Sequence, residues 1–169
     1  MARKPPAFDP FGALQALDRH RVTYITIGGF ARVIQGTEEV TRGLDIVPST
    51  RPENLRRLDA ALREIGAERA DGKGLALEDA VAGQPTIDLI TDHGEVKIVP
   101  TPAGTRGYDD LRRAANREPL GRGVRPSVAS IGDLARMISA LGNEQQLGEL
   151  RQLRRLVELE RGRTRAIER

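Results

Sequence analysis

The sequence contains no cysteine, no tryptophan and only two histidines, His20 and His93, among its 169 residues. Without cysteine there are no disulfides and no cysteine-ligated zinc, and two histidines do not make a histidine-rich metal site. Aromatic residues account for 3% of the chain, which predicts a core built from aliphatic side chains. The composition leaves carboxylate oxygens as metal ligands, and these suit a hard cation such as magnesium.

Long apolar segments are also missing. No run is long and apolar enough to cross a membrane, and the basic, proline-rich residues 1–10 lack the apolar stretch of a secretory signal. These features predict a cytoplasmic protein without membrane contact. The length suits one domain with its own core. The net charge of +3, with arginine outnumbering lysine, fits an arginine-rich surface and nucleic-acid binding equally well.

Helical and strand patterns alternate along the first hundred residues. Asp9-Pro10 predicts a helix start, and a cap at Ser49 or Thr50 predicts a helix to about Ile65. Strands are predicted at 22–27, 40–47, 86–91 and 95–99, a short helix at 30–35, and irregular structure with room for a short strand at 66–85. This order predicts an α/β (α+β) fold with a mixed sheet flanked by helices.

The remaining chain is predicted to be mostly helical. A short helix is expected at 108–115, one or two short strands within 118–129, a helix capped by Ser130, and a last helix that starts near Asn143 with a leucine stripe. The predicted organisation is a flexible N-terminus (1–9), an α/β core (10–129), a helical part packed on it (130–160) and an arginine-rich tail (161–169).

Two glycines stand between the first strand and the short helix that follows it. Glycines at such a turn let backbone amides approach a phosphate closely, and the helix N-terminus adds positive potential. Gly28 and Gly29 are therefore candidate phosphate-binding residues. The alternative is a plain strand-to-helix turn.

Two acidic residues lie within apolar strands. Alternate residues of a strand face the same side, so Asp45 shares a face with Gly43 and Thr41. Asp88 stands between two apolar residues of a later strand. An acid in such surroundings needs a metal or a basic partner, and two acids on neighbouring strands could hold a metal together. The alternative is a bond to nearby backbone or to an arginine.

A resemblance to a known family rests on two segments, YITIGGFARVIQG (24–36) and TRGLDIVPSTRPENLRRLDAALREIGA (41–67). They resemble the nucleotidyltransferase superfamily of the polymerase-beta type, and within it the AbiEii-like minimal nucleotidyltransferases of type IV toxin–antitoxin systems. A weaker likeness continues through PTIDLIT and SVASIGDLARMISALG, so it covers most of the chain.

The resemblance implies a two-metal mechanism. An Asp-x-Asp pair and a third carboxylate on a neighbouring strand hold two magnesium ions, which clamp a nucleoside triphosphate and activate a hydroxyl for in-line nucleotidyl transfer. Carried over to this chain, Gly28 and Gly29 match the phosphate turn, with Arg42 as a further phosphate-binding candidate. Asp45 matches the second acid of the pair and Asp88 the third, as catalytic and metal-binding residues. The implied cofactors are Mg²⁺ and a nucleoside triphosphate.

The sequence departs from the family pattern at several positions of one site. The first acid of the pair falls on Gly43, an expected lysine falls on Ile138, and an expected arginine and acid fall on Asn143 and about Gln146. Loss of one ligand from a two-metal site costs on the order of three decades or more in rate. The enzyme question therefore stays open at the sequence level.

Three functional hypotheses follow. The chain is a nucleotidyltransferase-like toxin component that modifies RNA, such as tRNA, or protein, and that has an antitoxin-type partner. Alternatively it is a catalytically inactive relative that binds nucleotide, RNA or a partner protein. Third, it is an interaction subunit that forms a homodimer through its last helix. For the first hypothesis, Glu38 or Glu39 could replace the metal ligand that is missing at position 43. Both precede the strand, however, and are predicted to face solvent.

Arginines are concentrated in two parts of the chain. Such basic surfaces could contact RNA phosphates. The alternative for the last helix is a solvated face whose arginines pair with its own glutamates. The residues are Arg106, Arg112, Arg113, Arg117, Arg122 and Arg125 in the middle and Arg151, Arg154, Arg155, Arg161, Arg163 and Arg165 in the last helix.

Overall fold

The structure is a computed structural model that describes residues 3–142 and 146–167. Its helices are α1 (Pro10–Arg19), α2 (Gly28–Gln35), α3 (Pro52–Glu64), α4 (Leu77–Gly83), α5 (Tyr108–Leu111), α6 (Ile131–Leu141) and α7 (Leu147–Ile167). Its strands are β1 (Tyr24–Ile27), β2 (Gly43–Pro48), β3 (Glu68–Arg69), β4 (Ile87–Thr91), β5 (Gly94–Ile98), β6 (Asn116–Arg117) and β7 (Ser127–Val128).

The strands form one seven-stranded mixed sheet in the order β3-β4-β5-β2-β1-β7-β6. At its centre β2 pairs antiparallel with β1 and parallel with β5. Helices lie on both faces and the C-terminal part is helical, so the predicted fold class is confirmed. No helix within residues 3–142 and 146–167 is long and apolar enough to cross a membrane.

Two of the three helix starts predicted from capping residues are confirmed. The Asp9 carboxylate accepts a hydrogen bond from the N–H of Gly12 at 3.2 Å at the start of α1. At the start of α6 the Ser130 hydroxyl accepts from the N–H of Asp133 at 3.0 Å, and the helix ends at Gly142, which has a positive φ. These side chains satisfy amide groups that the helices leave without partners.

Three local predictions were wrong. The cap of α3 is Arg51, without a side-chain hydrogen bond, because the N–H of Ser49 instead donates to the carbonyl of Thr23 and continues the β1–β2 pairing. The segment 66–85 contains the short strand β3, for which the prediction left room, and also the helix α4, which the prediction lacked. Strand β2 begins at Gly43, so Thr41 lies outside it.

The late start of β2 has a visible cause. The guanidinium of Arg32 on α2 donates to both carboxylate oxygens of Glu39 at 2.8–3.1 Å, and the hydroxyl of Thr37 donates to the same carboxylate at 2.6 Å. This network holds the segment 37–42 against α2, so these residues do not extend the strand. The prediction that Glu39 faces solvent is wrong, since its side chain is only 10% exposed.

The sheet has a different core on each face. The first core lies under α1, α3 and α4, and includes the predicted apolar face of α3: Leu55, Leu58, Leu62 and Ile65. The second core lies between β1, β2 and the helices α2, α6 and α7. Over β4 and β5 this second face is left uncovered, because three of the outward residues of these strands are charged (Asp88, Glu95 and Lys97) and the fourth, Ile90, is partly exposed.

The leucine stripe of α7 packs inside the protein. Leu150 and Leu153 are 6% and 0% exposed in the second core, and Leu156 packs against it. These three leucines are therefore not free to form a dimer interface, and the homodimer stays a prediction. The predicted start at Asn143 lies outside the described residues. The helix continues to Ile167, so the described part of the predicted tail is helical.

Candidate functional site

Asp45 and Asp88 lie on the uncovered face of the sheet, but their strands are not neighbours. Strand β5 separates β2 from β4, and the register places Lys97 directly opposite both Asp45 and Asp88. The expectation that the two acids come from adjacent strands is therefore wrong. Two strand spacings separate their backbones by roughly 10 Å, and a lysine stands between them.

Lys97 places a positive charge between the carboxylates of Asp45 and Asp88. Its Nζ lies 3.9 Å from Oδ1 of Asp88, and both side chains are about half exposed. Asp45 is more buried, and this burial raises the pKa of its carboxyl above the usual range. The positive charges of Lys97 and Arg32 oppose that shift in pKa, whereas the nearby carboxylates of Asp88 and Glu95 add to it. Asp45 is thus an ionisable group held in an unfavourable environment.

The two glycines of the predicted phosphate turn begin α2 rather than precede it. Gly28 has a φ of +73°, which favours glycine. A Cβ built on it would lie 2.9 Å from Cγ of Asp45 and still closer to Oδ2. The carboxylate of Asp45 therefore lies against the N-terminus of α2, where a negative charge is favourable. The glycines and Asp45 meet at one site, as the sequence predicts.

Gly43 lies where the resemblance expects the first acid. The neighbouring strand β5 occupies the space that a side chain at this position would need. A Cβ added to Gly43 would lie 2.9 Å from the carbonyl carbon and from the Cβ of Glu95, and closer to the carbonyl oxygen. Its φ is not in the left-handed region, so the restriction comes from the neighbouring strand. An aspartate at this position would push against the backbone of β5.

A cleft of about 490 Å³ opens between α2, the segment 39–42 and the face of β2, β5 and β4. Gly29 and Arg42 line it together with Asp45 and Asp88. Its charged residues are three cations (Arg32, Arg42, Lys97) and four carboxylates (Glu39, Asp45, Asp88, Glu95). We call this space the sheet cleft.

Sequence reasoning missed Lys97 and Glu95. The alternation Glu-Val-Lys-Ile at 95–98 is the signal, because it places two charged side chains on one face of a strand. Nothing in the local sequence indicates that β5 pairs with β2, and only that pairing makes Lys97 the partner of Asp45.

The donor set does not fit the two magnesium ions that the resemblance implies. Among the described residues no three Asp, Glu or His side chains come together in a way that could hold a metal ion. Position 43 offers no ligand atom, and the strand that neighbours β2 presents the ammonium of Lys97 opposite Asp45. An ammonium repels a divalent cation at the point where a third carboxylate would attract it.

The lysine expected on α6, just after the Leu-x-x-Met segment, is also absent from the cleft. Ile138 is 3% exposed in the second core among aliphatic side chains of α6 and α7. Gln146 precedes α7, and Asn143 lies outside the described residues. The face of α7 with Arg151, Arg154 and Arg155 is exposed, and within the described range these arginines form none of the predicted ion pairs with glutamates.

Comparison with models of known protein families finds no match to this chain, and neither does comparison with curated proteins. Solved structures do match. The lincosamide antibiotic adenylyltransferase LnuA, bound to lincomycin, has a TM-score of 0.61 at 15% identity, over 89% of this chain and 99% of that one. A candidate nucleotidyltransferase from Thermotoga maritima has a TM-score of 0.53 at 17% identity, over 93% and 89% of the two chains.

A third solved structure, the antibiotic-resistance factor ANT(2'')-Ia, has a TM-score of 0.54 at 12% identity, over 93% of this chain and 91% of that one. Each of the three likenesses covers nearly the whole of both chains. At these identities they speak for architecture and not for activity. The chain has the nucleotidyltransferase fold.

Proposed function

We propose that the chain is a catalytically inactive protein with the nucleotidyltransferase fold, and that its sheet cleft binds a nucleotide without a divalent metal. The observation that supports this most is the position of Lys97, opposite Asp45 on the strand beside β2. The ammonium of Lys97 lies where a metal ligand is expected and supplies a positive charge that does not depend on a bound ion. Gly43 adds to the argument, because it provides no carboxylate and no room for one.

The charge balance of the cleft predicts which nucleotides it prefers. Four carboxylates against three cations give no excess of positive charge, so each further phosphate on a metal-free ligand adds repulsion. A nucleoside monophosphate, with its phosphate at Arg42 and Lys97 near the N-terminus of α2, is therefore the expected ligand. A triphosphate should bind less tightly under the same conditions.

Calorimetric titration of AMP and ATP in EDTA, and again with Mg²⁺, tests the binding. We expect AMP to bind in EDTA and Lys97→Met to weaken binding about tenfold or more, the value of one charge-assisted hydrogen bond. Lys73→Met is the matched control, since Lys73 lies outside the cleft. Binding that requires Mg²⁺ and that Lys97→Met leaves unchanged would contradict the proposal.

An incorporation assay tests the absence of catalysis. The protein is incubated with labelled nucleoside triphosphates, Mg²⁺ and acceptors that include total tRNA and a lincosamide, because one of the matched structures is an adenylyltransferase for that class of antibiotic. We expect no labelled acceptor. Labelling of either acceptor that Asp45→Asn abolishes would contradict the proposal. If the labelled acceptor is tRNA, the result would support the toxin-type hypothesis, in which nucleotides are transferred to RNA or protein.

A further inference from the structure

A second concave surface lies at the other end of the two central strands. Because β1 and β2 are antiparallel, the end of β2 and the start of β1 lie together, about 17 Å from the sheet cleft by the rise of six strand residues. A pocket of about 400 Å³ opens there, between the end of β2, the N-terminus of α3 and the segment 100–112.

Four arginines line this pocket: Arg51, Arg57, Arg106 and Arg112. Only Arg112 has an ion-pair partner among the described residues, Asp109 at 3.3 Å. A smaller pocket of about 210 Å³ continues the surface past Thr23 and Tyr108, which line both, and adds Arg117 and Arg125. We call the two together the arginine groove.

The groove concentrates the charge of the protein. Its six arginines face three carboxylates, those of Asp18, Glu53 and Asp109, which leaves a net of +3. The whole chain also has a net charge of +3, so the charges elsewhere cancel. The sheet cleft, by contrast, has one more carboxylate than cation. An anionic polymer is therefore attracted to the groove rather than to the cleft.

The floor of the groove is fixed. Asn54, on the first turn of α3, accepts from the N–H of Thr23 at 2.7 Å and donates to the carbonyls of Thr23 and Ser49 at 2.9 and 2.7 Å. Ser49 is 8% exposed and lines the pocket, and its hydroxyl forms no hydrogen bond with any described residue. Arg51 caps α3 without a side-chain bond. Pro52 has no N–H, and the N–H groups of Asn54 and Leu55 donate to the carbonyl of Arg51, so among the described residues the N–H of Glu53 is left without a partner at this helix end. The Ser49 hydroxyl and the Glu53 amide both suit a phosphate oxygen.

We propose that the arginine groove binds the phosphodiester backbone of a single-stranded nucleic acid, with a base stacked on Tyr108. Positive charges along a groove with an aromatic ring between them are the combination that binds single strands without sequence preference. The arginine face of α7 offers charge without an aromatic residue, since 147–167 contains none. The groove is separate from the sheet cleft, so this inference does not depend on whether the cleft is catalytic.

Fluorescence anisotropy with a labelled oligonucleotide of about 12 nucleotides, as RNA and as DNA, tests the proposal. The test protein is the triple variant Arg51→Gln, Arg57→Gln and Arg106→Gln. Its matched control is Arg151→Gln, Arg154→Gln and Arg155→Gln on α7, which removes the same charge from exposed positions. Thermal unfolding of both variants verifies that they are folded.

We expect the groove variant to bind roughly tenfold or more weakly. The slope of log K against log salt should also fall by about two, at about 0.7 per lost phosphate contact on a single strand. The α7 variant should stay within about twofold of the wild type. Equal losses in the two triple variants would show unspecific attraction and overturn the proposal.

Tyr108 provides a second readout that does not involve charge. Tyr108→Leu should weaken binding by about 5- to 150-fold, the value of one base stacked on an aromatic ring, with the salt slope unchanged, whereas Tyr108→Phe should retain binding. Binding of RNA or DNA by the wild type that needs both the arginines and the ring supports the proposal. If the protein bound a duplex as tightly as a single strand, the proposed stacking of a base on Tyr108 would be wrong. Nucleotide transfer in the incorporation assay would refute the inactive cleft and leave the groove untouched.

Discussion

The contact between Gly43 and β5 predicts that a single methyl group at this position destabilises the protein. In Gly43→Ala the new Cβ would lie 2.9 Å from two atoms of Glu95, whereas ordinary contacts begin at 3.4 Å. Strands β2 and β5 would have to separate by about 0.5 Å or more, across a ladder that pairs Gly43–Ile46 with Glu95–Ile98. The obstructing atoms include backbone, which cannot rotate away as a side chain can.

Two effects of opposite sign set the size of the change. Overpacking of this kind costs about 1–3 kcal/mol, and replacing glycine by alanine restricts the unfolded chain, which recovers about 0.4–1 kcal/mol. Gly74→Ala measures the second effect alone, because nothing lies within 4 Å of Gly74 and its φ is not positive. The difference between the two variants should therefore be about 1–3 kcal/mol.

Urea unfolding at neutral pH measures this difference. For a chain of this size a loss of about 2 kcal/mol lowers the urea midpoint by about 1 M and the Tm by about 4–8 °C. If Gly43→Ala matched Gly74→Ala within about 0.5 kcal/mol, the close approach of β5 would not restrict position 43. Gly43→Asp should cost at least as much as Gly43→Ala, so any attempt to restore the acid has to verify folding first.

Three further predictions concern charges inside the protein. Burial raises the pKa of Asp45 in the folded state, so the folded protein holds this proton more tightly than the unfolded chain and loses stability as pH rises. In urea unfolding, Asp45→Asn should therefore be more stable than the wild type at pH 7, and the difference should narrow towards pH 4. A difference that does not change with pH would show that the raised pKa of Asp45 is not its cause. Arg32→Met leaves Glu39 buried without its partner and should lower the free energy of unfolding by about 3–5 kcal/mol in the same assay. The double variant with Glu39→Met should recover much of this loss. An equal loss in the single and double variants would argue against a desolvated pair. Ile138→Lys places an ammonium in the second core and should lower the free energy of unfolding by about 3 kcal/mol or more. The control Ile138→Val should lower it by about 0.5–1.5 kcal/mol. A lysine that leaves the stability unchanged would mean that this position opens to the cleft.

The sequence predicts correctly those helices whose signals lie within a few neighbouring residues. The cap at Asp9, the cap at Ser130 and the apolar face of α3 predict helices that the structure confirms, because each depends on residues within one or two turns. The start of β2 and the cap of α3 were missed. Both depend on bonds between different elements: Arg32 of α2 binds Glu39 in the segment before β2, and the N–H of Ser49 binds the carbonyl of Thr23.

The candidate site was predicted in part for the same reason. The meeting of Gly28 and Asp45 follows from two elements that are consecutive in the chain, β1 with α2 and then β2. The place of Asp88 could not be predicted, because strand order is a property of the whole sheet and β5 inserts between β2 and β4. A pattern of one strand reports which face a side chain occupies and not which strand lies beside it.

The packing around Gly43 also limits how this protein can change over generations. A lineage that lost the acid at position 43 and let β5 move in could not regain it by one substitution, since the returning side chain would meet backbone. Recovery of a metal site would require the strand spacing, position 43 and Lys97 to change together. Intermediates on that path would be less stable without being active, so selection would favour new uses of the fold over a return to the old chemistry.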